Sequence, residues 1–248
     1  MVSTGPADST TDGTASHMGT GGGTEALSDR ADSHHGRDVT DGAVLVLFVC
    51  TANRVRSPFA AAVARRRVAE MGLPLVVGSA GLLGSDHDPA FEQIERQARR
   101  YGTDLSEHRS TALTVDMLEA SDLVVTMTGR QIIGLVNLSP TAQRKAVTLR
   151  EWAARSTAGD PITTWTRPAV SQWLTDAVNR PVDTLFSGTV DVVDPTTRWP
   201  HRFGRTAAEI DRLVGICLDP LSDHPSIDRP AEMSNDDPPV WYRSPERR

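Results

Sequence analysis

Val44-Leu-Val-Leu-Phe-Val-Cys50-Thr-Ala-Asn-Arg-Val-Arg56-Ser57-Pro58 is the stretch on which the reading of the whole chain turns. Val44 to Val49 is an unbroken apolar run rich in β-branched residues, the pattern of a strand covered on both faces. Pro58 suits the first turn of a helix, where its missing N–H costs nothing. The alanine- and arginine-rich segment that follows, through Glu70, has high helix propensity. A strand, a tight loop and a helix start aim backbone N–H groups and a positive helix end at one point, and such a point binds an anion.

The residues of the loop say what could happen to that anion. Cys50, beside a helix N-terminus and an arginine, is expected to act as a thiolate nucleophile at neutral pH. Arg56 presents a planar fork of donors that fits two oxygens of a tetrahedral oxyanion. The Ser57 hydroxyl can donate to the sulfur, and Asn53 tolerates the left-handed backbone that a tight loop needs. The pattern predicts attack of sulfur on a bound phosphate. The bland alternative is a buried, inert cysteine with Arg56 turned to solvent. The strand before, the Ser-Pro after and the helix start weigh against it.

These residues also carry a resemblance. A strand ending in Val-Cys, an asparagine inside the loop and a closing Arg-Ser-Pro resemble the active-site signature of the low-molecular-weight protein tyrosine phosphatases. Later segments extend the likeness from Val44 to about Leu218. The resemblance implies an α/β, three-layer sandwich with a four-stranded parallel sheet. It implies hydrolysis of phosphotyrosine or another phosphomonoester through a cysteinyl-phosphate, with Cys50 as nucleophile. The phosphate would sit on Thr51, Ala52, Asn53, Arg54, Val55, Arg56 and Ser57. No cofactor and no metal are implied.

Composition bounds the rest. The chain has 248 residues, room for one or two domains. Its net charge is −6, of which residues 1–42 carry −5 and residues 219–248 carry −3, leaving +2 for residues 43–218. A slightly positive middle suits an anionic substrate, a phosphotyrosine protein or a small phosphomonoester. It is not the basic stripe of a nucleic-acid binder. Residues 1–42, built from Gly, Ser, Thr, Asp and His, are expected to be a disordered tail, since they cannot bury enough surface to offset ordering entropy. They lack the apolar core of a secretory signal. Asp219 to Arg248 reads as a second tail, within which Trp241-Tyr242 is a candidate docking element. His34-His35 is an incidental pair. No apolar run of eighteen residues is present, so no membrane span is expected. Two cysteines are too few for a disulfide framework, which points to a cytoplasmic location. Cys217, in an apolar helical stretch, is expected in the core. Oligomeric state is not legible.

Between these edges, residues 43–218 are expected to form the catalytic domain, with an inserted helical segment at about 155–186. Leu73 to Gly81 reads as the second strand, its small terminal residues allowing close approach of another backbone. Leu82 to His87 is a loop without an aromatic, which by the resemblance walls the cleft. Asp88-Pro89 is expected to cap and start a helix that carries Phe91, Ile94 and Ala98 on one face and that Gly102 closes. Met117 to Ala120 ends a short helix, Asp122 to Met127 is a third strand, Gln131 to Leu138 a helix and Lys145 to Leu149 a fourth strand. Strands alternating with helices predict a parallel sheet whose site lies at the strands' C-terminal ends, where Cys50 stands. Arg167 to Arg180 reads as an amphipathic helix, with Trp165 and Trp173 expected in the core. Phe203 to Leu218 is the closing helix. By the resemblance, Ser79 and His108 support the anion loop. Thr128 stands where the family often has an acid.

The leaving oxygen of a phosphate monoester needs a proton, and a carboxylic acid on a facing loop can supply it. Asp194-Pro195 marks a turn, and by the resemblance Asp194 is that acid, with Asp191 as its rival. Thr196-Thr197 follows, where the family often has aromatics, so only Trp199 is left to flank an aryl group. Two other readings remain open from the sequence. One is an arsenate reductase or arsenate–thiol transferase on the same fold, and the other a non-catalytic binder of phosphorylated protein.

Overall fold

A computed structural model describes residues 42–197 and 202–218. The expected disordered tails, His34-His35, Trp199 and Trp241-Tyr242 lie outside the described residues. Seven residues of unbroken apolar character form β1 (Val44–Cys50), buried along its whole length. After the loop comes α1 (Arg56–Met71), closed by Gly72 in the left-handed conformation, and then β2 (Leu75–Gly81). The chain continues through α2 (Glu92–Arg100), α3 (Val115–Ala120), β3 (Leu123–Thr126), α4 (Gly129–Leu138), β4 (Ala146–Thr148) and α5 (Leu149–Thr157). Helices α6 (Arg167–Ala177) and α7 (Arg202–Leu218) complete it, with short 3-10 turns at Pro140–Arg144, Val182–Phe186 and Pro195–Thr197.

The four strands form one parallel sheet in the order β2-β1-β3-β4. Alternation along β1 divides the core in two. Val44, Val46, Phe48 and Cys50 face a layer that includes Phe59, Val63, Ile210 and Val214 from α1 and α7. Leu47 and Val49 face Met117, Leu118, Ile132 and Leu135 from α3 and α4. The result is the expected three-layer α/β sandwich with a four-stranded parallel sheet. Trp152 and Trp165 meet edge to face at 6.0 Å, and Trp165 and Trp173 are both buried in the first core, as expected. The sequence places the ends of several elements a residue or two differently, and one boundary differs in kind. Asp88-Pro89 does not start α2. The Asp88 N–H donates to Ser110 Oγ at 3.0 Å, Ser110 N–H donates to the Asp88 carbonyl at 2.8 Å, and Pro89 bridges Arg109. Those cross-chain bonds hold the pair extended, and α2 begins at Glu92 behind Phe91.

β4 also ends one residue before Leu149, because Thr148 is already a helix cap. Its side chain accepts from the Glu151 N–H while the Glu151 carboxylate accepts from the Thr148 N–H.

Candidate active site

Cys50 is the last residue of β1, paired with Gly81 of β2 at the C-terminal edge of the sheet. The loop Thr51 to Val55 lies between it and α1. Helices α4, α5 and α6 each begin under a threonine side chain, Thr128, Thr148 or Thr166, that accepts from a backbone N–H of the first turn. Helix α1 begins at Arg56, behind Val55, whose side chain caps nothing. Its first N–H groups therefore lack both an intrahelical acceptor and a side-chain cap, which leaves them for an anion in the loop.

Asn53 fixes the shape of that loop. Its φ is 53°, the left-handed region that the sequence suggests. Its side chain is fully buried and its donors and acceptor are used in three directions. Nδ2 donates to Ser57 Oγ at 3.0 Å and to Ser79 Oγ at 2.9 Å. Oδ1 accepts from the Thr111 N–H at 3.0 Å. The Asn53 carbonyl bonds His108 Nε2 at 2.7 Å. Ser79 and His108 thus both reach the loop through one asparagine. Burial holds the His108 imidazole below its ordinary pKa, an effect that Arg65 and Arg109 add to and that its bond to Asn53 opposes. The ring is kept neutral and donating, a brace more than a proton shuttle.

Gly81 is needed for the approach of the loop to β2. A Cβ there would lie 2.9 Å from the Ala52 carbonyl carbon and 3.0 Å from the Asn53 nitrogen, closer than packed atoms come. The small residues at the end of β2 therefore do what the sequence suggests.

At the centre, the Cys50 sulfur lies 3.0 Å from Ser57 Oγ, which can donate to it. Both residues are buried. Arg56, with only 5% of its side chain exposed, extends Nη2 to Asp194 Oδ2 at 2.5 Å. Its Nη1 donates to the Val192 carbonyl at 3.2 Å. Asp194 is 31% exposed, and its Oδ1 accepts from the Thr196 N–H and hydroxyl. Cys50, Ser57, Arg56 and Asp194 are thereby linked within one site, across 144 positions of sequence. Asp191, the rival acid, is tied elsewhere: its Oδ1 accepts from the Gly129 N–H at 2.8 Å, at the start of α4.

The other loop residues divide by what they can offer. Thr51 lines the cleft along with Arg56, Asp191 and Asp194. Ala52 and Val55 have only backbone to offer an anion. The Arg54 side chain turns outward, with Nε on the Pro89 carbonyl at 2.9 Å and its guanidinium 4.6 Å from the Phe91 ring centroid. It anchors the loop to the segment before α2, so its contribution to an anion is its backbone. Sequence reasoning missed Gln131. Its Nε2 donates to Thr51 Oγ1 at 3.1 Å, while its Oε1 accepts from the Met127 and Thr128 N–H groups. The signal was there as a Thr128-x-x-Gln131 capping box. Thr128, which by the resemblance stands where an acid is common, is that cap. Among the described residues, no helix is long and apolar enough to cross a membrane.

The chain is similar to known proteins over the region that builds the loop. A family model described as low molecular weight phosphotyrosine protein phosphatase matches residues 45–162. The low molecular weight protein-tyrosine-phosphatase Etp of Escherichia coli K12 is 31% identical over 117 residues, covering 47% of this chain and 76% of that protein. AmsI of Erwinia amylovora, a probable phosphatase of the same kind, is 29% identical over 121 residues, covering 47% and 78%. Among solved structures, a low molecular weight protein tyrosine phosphatase from T. tengcongensis superposes with a TM-score of 0.54 at 24% identity, covering 72% of this chain and all of that one. A YwlE mutant from Bacillus subtilis superposes at 0.55 and 23% identity, covering 72% and 99%. At those identities the superpositions speak for the fold.

Proposed function

The chain belongs to the low molecular weight phosphotyrosine protein phosphatases, and on that premise we propose that it hydrolyses phosphotyrosine in proteins, with small aryl phosphates as accessible substrates. The observation that carries this reading is the convergence of Cys50, Ser57, Arg56 and Asp194 on one anion loop. The Cys50 sulfur attacks phosphorus, and the ester oxygen leaves with a proton from Asp194. Water then attacks the cysteinyl-phosphate, Asp194 takes its proton, and inorganic phosphate departs with the thiolate restored. Loop amides and the Arg56 fork hold the equatorial oxygens, donors fixed in place before charge develops. Ser57 steadies the sulfur as it leaves. Asn53, Ser79 and His108 keep the loop in shape.

The Arg56–Asp194 pair has a consequence for this cycle. A phosphate that engages both arms of the Arg56 fork takes the place of the Asp194 carboxylate, which is thereby released toward the ester oxygen. A non-catalytic binder has no use for a nucleophile and an acid on opposite sides of one anion. An arsenate reductase working by an internal thiol relay is disfavoured by Cys217. That residue is fully buried in α7, and burial pushes its thiol well above the ordinary range. The thiol chemistry of Cys50 calls for a reducing compartment, in keeping with a cytoplasmic location. Residues 43–218 suffice for the activity.

The test is phosphate release from a panel of phosphotyrosine peptides and aryl phosphates, with thiol-dependent arsenate reduction run in parallel. Release from the phosphotyrosine peptides is the expected result. Arsenate turnover without phosphate release would falsify the proposal.

A further inference from the structure

Helix α4 begins at the mouth of the cleft with a cation where helix electrostatics favour an acid. Arg130 is exposed in the first turn, and no acidic residue shares that turn. The positive end of the helix dipole works against it there. Among the described residues Arg130 makes no ion pair. The two carboxylates that line the same cleft are committed, Asp191 to the Gly129 N–H and Asp194 to Arg56. Neither helix stability nor an internal partner explains the arginine.

What Arg130 does touch is Phe186, whose ring centroid lies 6.0 Å from the guanidinium carbon. Phe186 is 55% exposed, an unusual place for a phenylalanine unless something covers it. It ends the 3-10 turn Val182–Phe186, at the close of the segment that the sequence reading takes as inserted. That turn is seated firmly. Leu185 is buried in the second core, and its backbone lies so close to Gly129 that any side chain there would collide with it. The seat places Phe186 beside the start of α4 and Gly188 in the cleft lining. Two more exposed apolar residues, Leu83 at 79% and Val193 at 48%, line the same cleft.

We propose that Arg130 and Phe186 form a specificity rim for a polypeptide substrate: Arg130 pairs with an acidic residue flanking the phosphotyrosine, and Phe186 covers an apolar neighbour. The inference rests on the phosphatase reading above. A free cation held over an exposed ring, next to a slot for a dianion, complements an acidic and partly apolar segment. In that role the inserted turn supplies the aromatic that Thr196-Thr197 does not.

Two phosphotyrosine peptides that differ only in carrying Glu or Lys at the flanking positions give the test. The wild-type protein should favour the Glu peptide by about five-fold in kcat/KM, the scale of an attractive against a repulsive exposed pair. High ionic strength should shrink that ratio. Arg130→Glu should invert it and Arg130→Gln should flatten it, with melting temperatures at or above wild type because the dipole penalty is removed. Phe186→Ala should raise KM for both peptides. Equal kcat/KM for the two peptides in the wild type, or a preference that survives Arg130→Glu, overturns the rim while leaving the phosphatase reading intact. No phosphate release from either peptide or from an aryl phosphate overturns both.

Discussion

The loop after β1 and the segment that carries Asp194 face each other across the cleft and are held by different means. In the loop after β1, one buried asparagine bonds two serines, a backbone amide and a histidine, and the loop's backbone packs against Gly81 without space for a methyl group. The facing segment, residues 187–194, has no helix or strand. Beyond the burial of Val192 in the first core, it is tied by scattered bonds, Val192 N–H to the Met127 carbonyl, Asp191 to the Gly129 N–H, Thr206 to the Val193 carbonyl and Arg150 to the Thr189 carbonyl. Arg56 reaches it through Val192 and Asp194. The contrast fits the chemistry. The site for the phosphoryl group must be rigid before substrate arrives, because stabilisation by fixed donors depends on their not having to reorganise. In the proposed cycle Asp194 exchanges partners, and a segment without helix or strand permits that.

The largest expected effects break the rigid side. Cys50→Ser should reduce turnover to background while the melting temperature stays near wild type, since a serine hydroxyl stays protonated and the volume barely changes. Substantial residual turnover would show another nucleophile at work. Arg56→Lys should cost about 10³–10⁵ in kcat, the range seen when an arginine that stabilises a phosphoryl transition state is lost. An ammonium cannot keep both the Val192 and Asp194 contacts and also grip two phosphate oxygens. Near-normal turnover in that variant would remove Arg56 from the mechanism.

Asp194→Asn comes next, with a loss of about 10²–10⁴ on substrates with poor leaving groups. The loss should shrink for nitrophenyl phosphate, whose leaving group needs little proton help. Phosphate affinity should hold or improve, because the variant no longer competes as an anion for Arg56. Asp191→Asn keeps an oxygen for the Gly129 N–H and should have a small effect on both substrates. If the leaving-group dependence appears in the Asp191 variant instead, the acid has been assigned to the wrong residue.

The two sides of the cleft also differ in how far they can be read from sequence. The anion loop is contiguous, and its residues face one another through local geometry, so Cys50, Asn53, Arg56 and Ser57 were legible together. The parallel sheet was legible for a similar reason, since the apolar run Val44–Val49 and its successors recur with helical segments between them. Asp194 could be placed only by resemblance, because nothing in its own neighbourhood distinguishes it from a turn aspartate. Its meeting with Arg56 is a tertiary fact. Asp88-Pro89 was misread because its local signal is a helix start, while long-range bonds to Ser110 and Arg109 decide its conformation. Gln131 was passed over as a helix residue, although its side chain both caps α4 and reaches Thr51. Phe186 gave no sign at all, since its exposure depends on where Leu185 is buried.

Stability variants sharpen the same comparison. Asn53→Ala strands the buried Ser79 and Ser57 hydroxyls and the half-buried Thr111 N–H, and leaves the left-handed region without a polar side chain to compensate. The expected cost is about 3–5 kcal/mol, or about 10 °C in melting temperature for a domain of this size. Asp191→Ala removes one bond from the lightly held side and should cost about 1 kcal/mol. Equal losses from the two would contradict the contrast in rigidity.

The smallest effect is the pH response of His108. Burial disfavours its charged form, so its pKa lies lower in the folded chain than in the unfolded one. Between the two values the unfolded state binds the extra proton. Stability should therefore rise with pH through that window, and the contribution should be lost as pH falls below the unfolded value of about 6.5. Asn53 accepts from the ring in its neutral form as well as its charged form, so the bond offsets this trend without reversing it. The check is the melting temperature of wild type and His108→Gln between about pH 7.5 and about pH 5.5. Glutamine can still donate to the Asn53 carbonyl but does not titrate, so the wild type should lose more on acidification than the variant. A wild type that gains relative to His108→Gln as pH falls would mean that the imidazolium, not the neutral ring, is the form that braces the loop. His108 would then be an electrostatic contributor to anion binding and not only a support for Asn53.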